Sequence, residues 1–127
     1  MSTSEIATVL AWHEAVNSND IDTLLELSSD DIVLPTDDDD ADQGLDELRE
    51  WATNSGVTLE PGRMFVHEGI VVVEERSTWG AEATGAPLDE AIAFRVVDDK
   101  VVMVVRHNSL ADAFEATGLT EADLYQA

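Results

Sequence analysis

A chain of 127 residues has the size of one domain, so we expect residues 1–127 to form a single domain. It contains no cysteine, which excludes disulfides, zinc–thiolate sites and thiol nucleophiles. It has 28 acidic residues and only 6 lysines and arginines, which gives a formal net charge of -22. Nucleic acid and anionic membranes would be repelled by this charge, and we expect neither as a partner.

The acidic excess allows two interpretations. Acidic chains with few apolar residues are often disordered, but 44% of the residues here are hydrophobic and they recur at regular spacing. Abundant Asp with Lys100 as the single lysine resembles the proteins of salt-loving archaea, where salt screens self-repulsion. We therefore expect a halophilic, cytoplasmic protein. The start of the chain has no basic, apolar leader, and no stretch of about 20 apolar residues predicts a membrane span.

The first half of the chain predicts three helices and a short strand. Apolar residues at helical spacing give the first helix one buried stripe, on which His13 lies. Ser2 is suited to cap the first helix, Asp20 the second and Asp42 the third. The predicted ranges are 2–17, 21–27 and 44–54 for the helices and 32–34 for the strand.

The second half predicts an antiparallel meander and a last helix. β-branched residues run from Val57 to Glu68, with an interruption at Pro61-Gly62, and again over 70–79 and 90–110. The last run is divided by a turn at residues 98–100. Ser109 is suited to cap a helix over 110–117 that Gly118 ends. Helices followed by strands predict an α+β fold, a curved antiparallel sheet wrapped around N-terminal helices.

Three stretches of the chain carry a resemblance to a known superfamily. They read WHEAVNSNDIDTLLELSSDDIVL, GLDELREWATN and AIAFRVVDDKVVMVVRHNSLADAFEATGL. Their pattern resembles the nuclear transport factor 2-like superfamily, in its SnoaL-like and ketosteroid-isomerase-like branch. The resemblance implies a cystatin-like cone with a pocket at its open end, and often a dimer. Members of this superfamily include isomerases, cyclases, dehydratases, hydrolases and small-ligand binders, so the fold alone leaves the function open.

The resemblance allows the isomerase chemistry to be compared residue by residue. Those isomerases use an Asp base after the first strand, and an oxyanion hole formed by a helix-one Tyr and a protonated late-strand Asp. In this chain Trp12 stands at the Tyr position, Thr36 at the base with Asp37 beside it, and Ile92 near the late Asp. Two of the three roles are therefore missing, which disfavours steroid-type isomerisation. Trp12, Thr36 and Asp37 remain candidate ligand-binding residues.

The basic and imidazole side chains are the candidate catalytic residues. His13 is a candidate general base, or alternatively a hydrogen-bonded core residue. Arg95 and His107 form the preferred inward-facing set on the last two strands, where an arginine would bind an anionic or carbonyl group. The alternative places the strand arginines on the outer face of the sheet, paired with nearby glutamates. Those glutamates are Glu74, Glu75 and Glu90.

Aromatic residues and possible metal ligands give weaker signals. Trp12 and Trp79 are expected to line a pocket wall, although core packing would give the same composition. The acidic run over 36–43 is one residue out of step with a calcium-binding loop. The three histidines are far apart in sequence, and no phosphate-binding or hydrolase motif occurs. We expect no metal and no cofactor.

Three functions remain. The first is a small-molecule-binding protein whose apolar pocket is lined by Trp12, His13, Trp79, Arg95 and His107. The second is an acid–base enzyme of the isomerase, cyclase or dehydratase type, acting on a carbonyl-containing apolar substrate. In it His13 or His107 is the base and Arg95 stabilises an enolate. The third is an adaptor that works through its acidic surface. A homodimer formed through the sheet is expected for the family fold.

Overall fold

The computed structural model of the chain describes residues 3–33, 44–55, 58–78, 88–107 and 109–125. Helices come first, strands follow, and a helix ends the described part, so the α+β class is confirmed. The elements are α1 (Thr3–Ser18), α2 (Ile21–Glu26), β1 (Ser28–Val33), α3 (Leu45–Ser55), β2 (Thr58–His67), β3 (Ile70–Thr78), β4 (Leu88–Val97), β5 (Lys100–His107), α4 (Leu110–Thr117) and a 3-10 helix (Glu121–Asp123).

The five strands form one open, curved sheet in the order β1-β5-β4-β3-β2. Strands β2 to β5 are an antiparallel meander, as the sequence predicts. Strand β1 lies at the other edge and pairs with β5 in the parallel direction. The sheet is therefore mixed: it is antiparallel from β2 to β5, as expected, and parallel where β1 pairs with β5. Parallel neighbours require a long crossover, and here α3 and three strands separate β1 from β5 in the chain.

Both faces of the sheet are covered, and each carries its own apolar cluster. We call the face that packs against α1 the inner face, and the face that packs against α4 the outer face. Successive strand residues alternate between them. Phe94 and Val73 belong to the inner cluster with Val9 and Trp12 of α1. The outer cluster contains Phe65, Val72, Ala91, Ala93, Ala113 and Leu119.

Turns and helix caps follow the sequence closely. Asp98 and Asp99 have positive φ angles of 52° and 62°, as a two-residue hairpin loop requires. Asp20 caps α2 by accepting a hydrogen bond from the Thr23 backbone N–H. Ser109 caps α4, which Gly118 ends at a φ of 81°. The predicted caps at Ser2 and Asp42 lie outside the described residues.

Strand β1 begins earlier than predicted. Ser28 already lies opposite Val101 of β5, whereas the sequence predicts a strand only from Ile32. The residues from Ser28 to Asp31 are polar and predict the end of a helix, but pairing with β5 holds them in the sheet. In the described part of the chain, no helix is both long and apolar enough to cross a membrane.

Candidate functional site

The chemical centre of the described structure is a buried pair, His13 of α1 and Glu75 of β3. His13 lies one helical turn after Val9 on the buried stripe, and its Nδ1 is 2.7 Å from the Val9 carbonyl oxygen. Its Nε2 is hydrogen-bonded to Oε2 of Glu75. The two side chains are 3% and 0% exposed. The pair is therefore shielded from water on nearly all sides.

Strand alternation explains why a glutamate faces the core. Val71, Val73 and Glu75 share one face of β3, and both valines belong to the inner cluster. Oε1 of Glu75 is buried and has no hydrogen-bond partner among the residues that the structure describes. Glu75 is thus a carboxyl group with one oxygen bonded to a histidine and the other oxygen unsatisfied.

The geometry requires a proton between the two side chains. A carbonyl oxygen only accepts hydrogen bonds, so Nδ1 of His13 carries the hydrogen that it donates to Val9. In a neutral imidazole Nε2 is then an acceptor, and a carboxylate cannot donate to it. Either Glu75 is a carboxylic acid that donates to Nε2, or His13 is an imidazolium bound to a carboxylate. In both states the pair holds one shared proton and has no net charge.

The surroundings favour the carboxylic acid. Burial raises the pKa of Glu75 above its ordinary value. The hydrogen bond and charge of His13 lower that pKa, and the neighbouring charge of Glu90 raises it. Burial is the largest of these causes, so the pKa of Glu75 remains raised.

A second group of polar side chains lies on the same face beside the pair. Glu90 of β4 is the register partner of Glu75 and is 8% exposed. Arg106 of β5 donates to both of its carboxylate oxygens, from Nε at 2.7 Å and from a terminal nitrogen at 3.2 Å. Ser77 donates a further hydrogen bond to Glu90. We call His13, Glu75, Ser77, Glu90 and Arg106 the inner polar cluster.

Two depressions flank the buried pair. A cavity of about 390 Å³ is lined by His13 and by neighbours on α1, among them Leu10 and Asn17. A charged groove of about 640 Å³ is lined by Glu75 and Glu90, with Pro61 common to both depressions. Two ion pairs also line the groove, Arg63 with Glu74 and Arg76 with Asp89. Its lining is mainly charged, unlike the apolar pocket expected from the sequence.

Trp12 does not join the wall of either depression. It is fully buried, and its indole N–H donates to the hydroxyl of Ser28 at 3.0 Å. Its ring stacks on Trp51, with centroids 5.9 Å apart, and meets Phe94 edge-on. Trp12 therefore contributes to the core, which was the alternative interpretation of its position.

Arg95 and His107 lie on the outer face, and the expectation that they face inward with His13 is wrong. Arg95 alternates with Phe94, which points into the inner cluster, so Arg95 is exposed on the other side. His107 pairs with Ala91 of the outer cluster and is half-buried. Of the two neighbours at the end of β5, Arg106 is the one that faces inward. Thr36, Asp37 and Trp79 lie outside the described residues.

Glu75, Ser77 and Glu90 are site residues that the sequence patterns do not predict. Their signal is the period of two along β3 and β4, which identifies a face only once the orientation of one residue on the strand is known. Phe94 and Ile92 are strong core residues, and Glu90 continues their series toward the start of the strand. A glutamate in register with a core series predicts a buried carboxyl group. In the described residues no cluster of three or more metal-binding side chains occurs.

Comparison with known proteins identifies the family. The model of the SnoaL-like domain family matches residues 9–104, which is most of the chain. This protein belongs to the SnoaL-like domain family. None of the curated proteins shows significant sequence similarity to it.

Solved structures support the same fold at low sequence identity. An LEH-like epoxide hydrolase from Mycobacterium tuberculosis is 19% identical, with a TM-score of 0.73 over 90% of this chain and 89% of that one. RV0760c from Mycobacterium tuberculosis, in complex with estradiol-17beta-hemisuccinate, is 12% identical, with a TM-score of 0.73 over 88% and 98%. A computationally designed 17-OHP binder is 14% identical, with a TM-score of 0.72 over 88% and 95%. These similarities establish the nuclear transport factor 2-like fold.

Proposed function

We propose that this protein is an acid–base enzyme that moves a proton on a small carbonyl-containing molecule, with the His13–Glu75 pair as its chemical centre. The observation that supports this most strongly is the buried Glu75 carboxyl group, bonded to an imidazole through one oxygen and unsatisfied at the other. A histidine paired with a carboxyl group beside a cavity is what an acid–base enzyme requires.

In the proton-transfer step the pair takes up one proton from the substrate and so gains one positive charge. Oε1 of Glu75 takes a proton from the carbon beside the carbonyl of the substrate, while the proton on Oε2 passes to Nε2 of His13. The substrate is left as an enolate, and the new imidazolium compensates its negative charge. Reversal of these transfers delivers a proton to the same or another carbon. Val9 holds the imidazole in the required tautomer throughout.

The charged groove supplies a place of the right size for the substrate. Its volume of about 640 Å³ lies in the range of small-molecule pockets, about 300–1,000 Å³. Glu75 and Glu90 form part of its lining. A carbonyl-containing molecule in this groove lies next to the strand that carries Glu75.

The test uses cyclohexanone as a probe and follows exchange of its α-hydrogens for deuterium by NMR in D2O with molar KCl. We expect the wild-type protein to accelerate the exchange, and Glu75→Gln to lose about 10²-fold or more of that acceleration, because the amide cannot accept the proton. Glu115→Gln, at an exposed glutamate of α4 that lines neither depression, is the matched control and should retain the rate. Equal rates for Glu75→Gln and the wild type would contradict the proposal.

The second candidate function is binding without catalysis. It is supported by the match of this fold to RV0760c in complex with estradiol-17beta-hemisuccinate and to a computationally designed 17-OHP binder. A binder predicts that cyclohexanone shifts the resonances of residues around the groove while its α-hydrogens exchange no faster than in buffer. The same NMR samples thus distinguish the two functions.

The setting of the protein is also part of the proposal. We propose a homodimer formed through the sheet, in a cytoplasm of high salt concentration, on the basis of the family fold and the net charge of -22. We also propose that residues 1–127 form a single domain. Thr36, Asp37 and Trp79 remain proposed ligand contacts, while Arg95 and His107 on the outer face are proposed to serve the dimer rather than the substrate.

A further inference from the structure

Glu90 is the charged group placed closest to the buried pair by the register of the sheet. It lies directly opposite Glu75, and side chains opposite each other on antiparallel strands share a face at a Cβ separation of about 5 Å. Two carboxyl groups this close and this buried do not both ionise without a counter-charge. The hydrogen-bond partners of each carboxyl group therefore determine which of the two is charged.

The hydrogen bonds around Glu90 assign the charge to it. Arg106 donates to both of its oxygens in a fork, and Ser77 donates once more to Oε2. Donors of this kind stabilise the carboxylate form. Glu75 has no such set, because its one described partner is Nε2 of His13. Hydrogen-bond donors of the protein thus stabilise the ionised form of Glu90 more than that of Glu75.

We propose that Glu90, held ionised by Arg106 and Ser77, is a positioning residue that keeps the shared proton on Glu75, so that the resting pair is a carboxylic acid beside a neutral imidazole. Transfer to His13 would leave a second negative charge on Glu75, directly opposite Glu90, and the repulsion disfavours that state. The direction in which Glu90 shifts the pKa of Glu75 agrees with this assignment.

The described groups that face Glu75 are few. His13 faces it from α1, Glu90 from β4, and Arg106 of β5 acts through its bonds to Glu90. The register partner on β2 is Pro61, which does not titrate. The state of the pair therefore responds mainly to the Glu90 charge.

The test measures the protonation of His13 directly, by 15N NMR of its ring nitrogens across a pH series in molar KCl. The His13 signals are assigned by their loss in His13→Gln. In the wild type we expect one protonated and one unprotonated ring nitrogen at neutral pH. In Glu90→Gln the repulsion on an ionised Glu75 is lost while Arg106 remains, so the shared proton should move toward His13, and the Nε2 signal at neutral pH should shift toward that of a protonated nitrogen.

Two further variants complete the test. Glu74→Gln, which removes a carboxylate from the exposed Arg63 pair on the same strand, should leave the His13 signals unchanged. Ser77→Ala removes one donor to Glu90 and serves if Glu90→Gln does not fold. It should shift the 15N signals of His13 in the same direction as Glu90→Gln does, by a smaller amount. A wild-type imidazolium at neutral pH, or unchanged His13 signals in both Glu90→Gln and Ser77→Ala, would overturn the inference.

The inference rests on the proposed function only for its catalytic meaning. The NMR experiment reads protonation without any substrate, whereas the exchange of cyclohexanone reads catalysis. A protein that exchanges no α-hydrogens but shows the Glu90-dependent shift would refute the enzyme and retain the positioning role. A protein that accelerates the exchange but shows no Glu90-dependent shift of the His13 signals would retain the enzyme and refute the positioning role.

Discussion

At the scale of single residues, the stability of the core depends on how a buried histidine is satisfied. Nδ1 of His13 is bonded to Val9 and Nε2 to Glu75, so neither ring nitrogen is left without a partner. A buried polar group that loses its partner costs about 1–3 kcal/mol. The identity of residue 75 therefore affects folding as well as chemistry.

The first prediction compares two replacements of Glu75. Glu75→Ala leaves Nε2 of His13 buried and unpartnered, and we expect it to lower the free energy of unfolding by about 1–3 kcal/mol. Glu75→Gln offers an amide N–H to the same nitrogen and should cost less than Glu75→Ala. Urea unfolding in molar KCl measures both. An equal loss in the two variants would show that the hydrogen bond to His13 does not stabilise the fold.

The second prediction concerns pH. The pKa of Glu75 is raised in the folded state, so the folded protein binds this proton more tightly than the unfolded chain does. The contribution of Glu75 to stability is therefore full below its unfolded pKa of about 4.3 and is lost as the pH rises through its folded pKa. As the pH rises through this window, the free energy of unfolding of the wild type minus that of Glu75→Gln should fall. Urea unfolding at a series of pH values measures this difference, and a rise would contradict the raised pKa.

At the scale of secondary-structure elements, local signals in the sequence predicted most of the fold. The N-cap at Asp20, the turn at Asp98-Asp99 and the helix end at Gly118 depend on chemistry within a few residues. The start of β1 could not be predicted in the same way, because pairing with β5 decides it. Its partner Val101 is more than 70 residues away from Ser28 in the chain.

The sequence does not predict which strand side chains point toward α1 and which toward α4, for a physical reason. Val71, Val72 and Val73 are all fully buried, because α1 covers one face of the sheet and α4 the other. A strand buried on both faces lacks the alternation that identifies an inward side chain. The inward position of Glu75 and the outward position of Arg95 therefore required the register of the whole sheet.

The third prediction tests the cap of α2. The side chain of Asp20 accepts hydrogen bonds from the backbone N–H and hydroxyl of Thr23. Asp20→Ala should lower the free energy of unfolding by about 0.5–2 kcal/mol, because the first turn of α2 loses its acceptor. Asp20→Asn keeps a capping oxygen and is the matched control. Thermal and urea unfolding measure both, and equal stabilities of Asp20→Ala and Asp20→Asn would exclude a capping role.

At the scale of the whole molecule, the net charge of -22 on 127 residues is the largest unfavourable electrostatic feature. Self-repulsion at this charge destabilises the compact state, and salt screens it. The Debye length falls from about 10 Å at 0.1 M salt to about 3 Å at 1 M. At the higher concentration the repulsion between most surface carboxylates is therefore largely screened. Stability should therefore depend on ionic strength more than on the identity of any surface residue.

The fourth prediction follows from this charge. The melting temperature should rise steadily as KCl is increased from 0.1 M to 1 M and beyond, because screening relieves the repulsion between carboxylates. Sucrose at matched osmolality is the control, since it favours the compact state without screening charge. A melting temperature that is flat or falls with KCl would contradict the proposal of a high-salt setting.

A crystal structure grown in high salt and soaked with cyclohexanone tests most directly whether the His13–Glu75 pair acts on a molecule bound beside it. We expect density for the ketone in the charged groove, with its α-carbon or its oxygen within reach of Oε1 of Glu75. Density found only elsewhere, with the Glu75 oxygen still enclosed and unsatisfied, would refute the proposed function and leave the pair a structural feature of the core.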